Sequence, residues 1–348
     1  MVARQTYTLS DNKEISFTDN GHPPNSDDYT TLVFVHGSCN ASSLEKLYDF
    51  SHQLNLRIVL LERPPYGSTP YTESELDDLK QGRKIYLDRF GARLAEFLVQ
   101  FIQKEKIPKA SDDLNRGGIT VVGWSAGAAL AMTLLSDAKI VPPVTYPILE
   151  QYVKDVLLLD PPHVCFGFET PADFKAYNAW TDPDLKDPQE KLHQFFAWAS
   201  SYFDHSDPAG NLQDMDLTTK QSSDATVTKW SAEESKRHFN ERASFSELPM
   251  FMEPMQSTLR TMTEQVFYDE NLIKTYFPNL RITVIHCTRS CWHCTWAKNE
   301  LKRVYDERLS KGVKGRPLRF CEIAGANHFV PCEDPKLLLE KVAEGIRK

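Results

Sequence analysis

Gly123-Trp124-Ser125-Ala126-Gly127 is where residue type and spacing in this sequence point most directly to chemistry. A serine between two glycines, directly after a β-branched run and directly before a run of small residues, reads as a sharp strand-to-helix turn. Such a turn strains the serine backbone and lifts its hydroxyl off the sheet, and the flanking glycines avoid collisions that a Cβ would cause. The helix N-terminus beneath it favours developing negative charge. A serine hydroxyl is a poor nucleophile until a base removes its proton, so acyl transfer at Ser125 needs a histidine and a group to orient it. Ten histidines are available.

A second group is Cys287, Cys291 and Cys294 with His286 and His293 interleaved. Cys291-x2-Cys294 and a neighbouring histidine offer part of a zinc ligand set, but structural zinc usually draws on two separated knuckles. The group reads instead as a buried thiol cluster at a strand end, with no metal. Seven cysteines, an odd number, fit reduced thiols better than a disulfide framework.

These residues must be positioned by the elements around them. Thr31–Val35, Leu56–Leu61, Ile119–Val122, Val156–Leu159, Leu280–Ile285 and Arg319–Ile323 are short apolar, β-branched runs, each followed by turn residues. Runs apolar on both faces that alternate with helical patterns predict a parallel sheet covered on both sides, an α/β fold. Helical spacing predicts helices over Leu79–Lys104, with Ile85 and Phe90 on the apolar face, over Ala126–Ser136 and over Pro335–Arg347.

The interval 163–280 differs in texture. It is about a third of the chain, yet it holds nearly half of the aromatic residues and five of the seven methionines. It reads as an insertion, either an ordinary helical subdomain with an aromatic core or a cap whose aromatic and methionine side chains line an apolar substrate pocket. The chain has 40 basic and 48 acidic residues, a net charge of −8, and no Lys/Arg run, which disfavours nucleic acid or an anionic membrane surface as partner. Its longest apolar runs fall short of the roughly 18 residues of a membrane span, and no apolar signal segment opens the sequence. An intracellular, cytoplasmic protein is the expectation.

The order of these features resembles the α/β-hydrolase superfamily. His36-Gly37 after an early strand resembles its oxyanion loop. Glu62 to Ser68 resembles the D-x-x-G-x-G-x-S segment, with Glu for Asp, and Gly325-Ala326-Asn327-His328 resembles the G-x-x-H that supplies the base. The resemblance implies a mostly parallel central sheet with helices on both faces, a core of residues 1–162 and 281–348, and an inserted helical cap at 163–280. It makes His328 the base, with His163 and His286 as weaker candidates and His36 shaping the oxyanion loop. The acid usually follows the penultimate strand, but Ser290 stands there. Asp160, in Leu157-Leu158-Leu159-Asp160-Pro161, is similar to the acid of fungal polyketide and toxin hydrolases, where such a segment precedes an aromatic cap. Backbone N–H groups of Ser38 and Ala126 are the implied oxyanion donors.

Together these imply a serine hydrolase that cleaves an ester, thioester or lactone of a bulky apolar small molecule through an acyl-enzyme, with no metal or organic cofactor. Carbon–carbon hydrolysis, a lyase or cyclase reaction on the same residues, and non-catalytic binding of a small molecule are the alternative readings.

Overall fold

The structure, a computed structural model, describes residues 2–67 and 69–347. Ser68, the last residue of the Glu62-to-Ser68 segment, lies outside them. Eight strands form one sheet in the order β1-β2-β4-β3-β5-β6-β7-β8. They are β1 (Arg4–Thr8), β2 (Glu14–Asp19), β3 (Thr30–Val35), β4 (Leu56–Glu62), β5 (Ile119–Trp124), β6 (Val153–Leu159), β7 (Arg281–Cys287) and β8 (Leu318–Ile323). From β3 to β8 all pairings are parallel, and β2 joins β1 and β4 antiparallel.

The six apolar runs account for the parallel strands; β3 to β7 are buried on both faces, while β8 at the sheet edge is mostly half-buried. Leu32 and Phe34 of β3, with Leu157 and Leu159 of β6, pack on one side against the helix Pro335–Arg347. Val33 and Val35 of β3, with Val156 and Leu158 of β6, pack on the other side against the helices Lys84–Glu105 and Gly127–Met132. Strands β1 and β2 are not among the expected runs. In β1 only Tyr7 is buried, so a polar, solvent-facing edge leaves almost no apolar alternation to read.

The predicted helix Leu79–Lys104 is two helices, Glu73–Lys80 and Lys84–Glu105. Gly82 turns the chain between them at φ +63°, and a Cβ there would come within 2.7 Å of the Pro254 backbone. Ile85, expected on the buried face, is 43% exposed at the start of the second helix. The predicted helix Ala126–Ser136 is α-helical over Gly127–Met132 and tightens to a 3₁₀ turn over Thr133–Leu135.

Residues 163–280 lie between β6 and β7 and split by packing. Phe196, Trp198 and Phe203 cluster with Trp124 and Phe329 on the side where the strands deliver their last residues. The helix Met255–Tyr268 instead contributes Leu259, Met262, Val266 and Phe267 to the core beneath the sheet. Among the described residues no helix is long and apolar enough to cross a membrane.

Candidate active site

Each parallel strand ends at the same edge of the sheet and hands its next residues to one locality. Ser125 follows β5, where its N–H donates to the Leu159 carbonyl at 3.0 Å and its φ is +54°. A Cβ on Gly127 would lie 2.1 Å from the Val35 carbonyl oxygen, and one on Gly123 would lie 2.5 Å from that of Gly127. Only glycines let the turn close this tightly against β3 and the following helix. Asp160 follows β6 at φ +46°, with its N–H on the Ile285 carbonyl at 2.7 Å.

The three side chains singled out in the sequence form a hydrogen-bonded series. Ser125 Oγ is 2.8 Å from His328 Nε2, and His328 Nδ1 is 2.6 Å from Asp160 Oδ2. The loop that carries His328 is pinned at two adjacent residues. Trp124 Nε1 donates to the His328 carbonyl at 3.1 Å, and Asn327 Nδ2 donates to the Ser200 carbonyl at 2.6 Å and to Thr226 Oγ1 at 2.9 Å.

Asp160 is fully buried and accepts from four donors. His328 Nδ1 and Ser290 Oγ, at 2.5 Å, meet Oδ2, while His286 Nδ1 and the Cys287 N–H, both at 3.0 Å, meet Oδ1. Burial alone would favour the neutral acid. The hydrogen bonds from His286 and His328 outweigh it and hold the carboxyl below the usual carboxylate range. Ser290, which stands where the resemblance put an acid, donates instead to Asp160. His286, read as a weak base candidate, binds Asp160 and does not touch Ser125. His163 is also separate from the series: it is buried, stacks on Trp292 with ring centroids 5.1 Å apart, and is pushed down to about 4 by burial.

His328 itself is raised. Burial disfavours its imidazolium, but the hydrogen bond to Asp160 and that carboxylate's charge prevail. A base must be neutral to accept a proton, so turnover that depends on His328 falls as pH drops through its pKa. We expect the acidic limb of kcat/KM to lie above the ordinary histidine value of about 6.5, measured over a pH series with a small ester. A midpoint below that value would contradict this.

Ser38 and Ala126 line the same cavity as Ser125. Gly37 approaches so closely that a Cβ on it would lie 2.7 Å from Ser125 Cβ. His36 is buried and held well below its usual range, first by burial and then by Arg63, so it is neutral. Its Nδ1–H donates to the Gly37 carbonyl at 2.9 Å and its Nε2 accepts from the Arg63 N–H at 3.2 Å.

Arg63 is a residue that sequence reading missed. Its guanidinium donates to the His36 carbonyl at 2.8 Å and the Gly37 carbonyl at 2.7 Å. It also makes a bidentate pair with Glu247, at 2.6 and 3.0 Å, with both side chains buried. The signal was weak because the partner lies 184 residues away. Removing one partner strands a buried charge, so Glu247→Ala should lower unfolding free energy by about 3 kcal/mol, read from urea denaturation. A loss below about 1 kcal/mol would mean that solvent reaches Arg63.

A cavity of about 660 Å³ opens beside Ser125 and His328. Its walls include Phe174, Trp180, Phe195 and Trp198 from the interval between β6 and β7, together with Trp292 and Phe329. Cys291 and Cys294 also line it, whereas Cys287 is buried at the end of β7.

A family model described as "Alpha/beta hydrolase family" matches residues 32–341. Among solved structures the chain is similar to a bromoperoxidase from Bacillus anthracis, at TM-score 0.54 and 13% identity over 99% of this chain and 100% of that one. It is similar to the peroxisomal alpha-beta-hydrolase Lpx1 from Saccharomyces cerevisiae, at TM-score 0.52 and 14% identity over 99% and 88%. It also resembles the esterase EaEST from Exiguobacterium antarcticum, at TM-score 0.51 and 12% identity over 99% of each chain. At these identities the likeness is one of fold. No curated protein matches the sequence.

Proposed function

The chain belongs to the alpha/beta hydrolase family, and from that premise we propose that it is a serine hydrolase acting on an ester-type bond of a bulky apolar small molecule. The observation that carries this reading is the series from Ser125 Oγ through His328 to the buried carboxylate of Asp160. In this mechanism His328 Nε2 accepts the Ser125 proton as Oγ attacks the carbonyl carbon. Asp160 keeps the other ring proton on Nδ1, which fixes the tautomer and stabilises the imidazolium. The backbone N–H groups of Ser38 and Ala126 receive the oxyanion. His328 then protonates the leaving group, and water, activated by the same nitrogen, releases the acyl-enzyme.

A fluorophosphonate probe tests this in the native protein. Covalent labelling that maps to the Ser125 peptide is expected, because only an activated serine reacts. Absence of labelling on folded protein would refute the reading and favour a binder.

The aromatic walls support the choice of substrate class, and we propose 163–280 as the inserted cap, with its part before Met255 roofing the cavity. Excising the whole interval would strip Leu259, Met262, Val266 and Phe267 from the sheet core, so a point substitution is the cleaner test. Trp180→Ala removes a half-buried wall residue, and burying such a side chain is worth roughly 1.5–3 kcal/mol. We expect kcat/KM for aryl and long-chain esters to fall about 10-fold or more, with acetate esters little changed. An equal loss on all esters would place Trp180 outside the substrate's reach.

A further inference from the structure

The two proposed oxyanion donors are main-chain N–H groups, so their own side chains do not reveal what aims them. Neither the Ser38 N–H nor the Ala126 N–H has a hydrogen-bond partner among the described residues. Ala126 is held by the turn and the helix that follows it. Ser38 instead stands in a loop directly after Gly37, whose missing Cβ leaves the intervening peptide free to rotate. A trans peptide unit is planar, and its C=O and N–H point in opposite directions. Whatever holds the Gly37 carbonyl therefore aims the Ser38 N–H.

That carbonyl accepts from Arg63 Nη2 at 2.7 Å and from His36 Nδ1 at 2.9 Å. The peptide on the other side of Ser38 is held as well, because the Ser38 carbonyl accepts from Tyr66 Oη and from Ser244 Oγ, both at 3.3 Å. Arg63 Nε also donates to the His36 carbonyl at 2.8 Å, so three successive peptide planes are anchored. Part of this anchorage comes from the interval between β6 and β7. Ser244 and Glu247 lie one turn apart on the helix Glu241–Glu247. The Glu247 carboxylate grips Arg63 through two hydrogen bonds and accepts a third from Tyr71 Oη at 3.3 Å. Leu248, the next residue, lines the cavity, whereas Glu247 does not.

We propose that Glu247, through Arg63, and Ser244, through the Ser38 carbonyl, are positioning residues that hold the Ser38 N–H toward the developing oxyanion. The inference rests on the hydrolase reading. It makes the interval that walls the cavity also the support of half the oxyanion hole. Such support matters most where negative charge develops, so its loss must weaken the tetrahedral state more than the bound substrate.

The test compares naphthalene-2-boronic acid with naphthalene-2-carboxamide, which share a ring system and differ at the reacting centre. Ser125 Oγ bonds the boron of the first and passes its proton to His328 Nε2, which leaves a tetrahedral boronate anion. The second stays trigonal. Glu247→Gln keeps the size of the side chain and puts an NH₂ group, which cannot accept, against Arg63. Removing one oxyanion donor costs about 10²–10³ in kcat and misaiming it should cost less, so boronate affinity and ester kcat/KM should fall together by about 10–100-fold. Carboxamide affinity should stay within about 2-fold. The acidic limb of the pH profile should stay in place, because His328 keeps Asp160. A merely structural defect would lower the fraction of active protein and leave both affinities unchanged. The double variant Tyr66→Phe/Ser244→Ala strips both donors from the Ser38 carbonyl without stranding a charge, and should give the same split at smaller size. Equal losses on both ligands, or boronate affinity retained in either folded variant, would overturn the positioning role while the wild-type adduct upholds the hydrolase. A wild-type chain that forms no boronate adduct at Ser125 would overturn both.

Discussion

Replacing Ser125 by alanine should lower kcat for ester hydrolysis by about 10⁴–10⁶ and abolish fluorophosphonate labelling, with the circular dichroism of the folded chain retained. The size follows from the chemistry of the step. Without Oγ there is no atom to form the acyl-enzyme, and what remains is water attack helped by oxyanion donors and substrate binding. Folding should survive because the side chain is small and its strained φ of +54° is set by the turn and its glycines. Alanine keeps that turn and its clearances. Labelling or turnover near wild type would remove Ser125 from the mechanism altogether.

The second large effect concerns Asp160. Asp160→Asn puts an amide where four donors converge, so at least one donor must face an NH₂ group, and His328 loses the acceptor that holds its proton on Nδ1. We expect kcat to fall by roughly 10²–10⁴. The pH profile provides a second, independent signature. With the carboxylate gone, His328 loses the hydrogen bond and the charge that do most to raise it against burial, so the acidic limb should move to lower pH even as the plateau drops. A merely structural defect would reduce the plateau without moving the limb. Ser290→Ala removes one donor and leaves three, so its loss in kcat should stay below about 10-fold. Wild-type kinetics in Asp160→Asn would mean that another group orients the histidine.

How much of this was legible in the sequence depends on how local each signal is. The Gly123–Gly127 turn is local, because its glycines are required by contacts within a few residues and with the adjacent strand. Strands β3 to β7 were legible because burial on both faces makes each a nearly continuous apolar run. The break at Gly82 was missed since the apolar spacing continues across it, and the glycine's partner, Pro254, lies far along the chain. The meeting of His286, Ser290 and the Cys287 N–H on one carboxylate was out of reach for a different reason. Their positions were known, but which atoms face Asp160 depends on how β6 and β7 pair, with Leu159 opposite Ile285. The Arg63–Glu247 pair is the extreme case, two ordinary surface-type residues whose role exists only after the chain has closed around them.

The strand-end layout has a consequence for the timing of activity. Ser125 and His328 are separated by 203 residues, and the sheet that brings them together needs β6, β7 and β8 docked in order. A ribosome that has delivered the turn carrying Ser125 has made a hydroxyl with no base within reach. On the proposed mechanism, reactivity is withheld until the last strand and its histidine loop arrive, and the part-made chain would be inert toward esters.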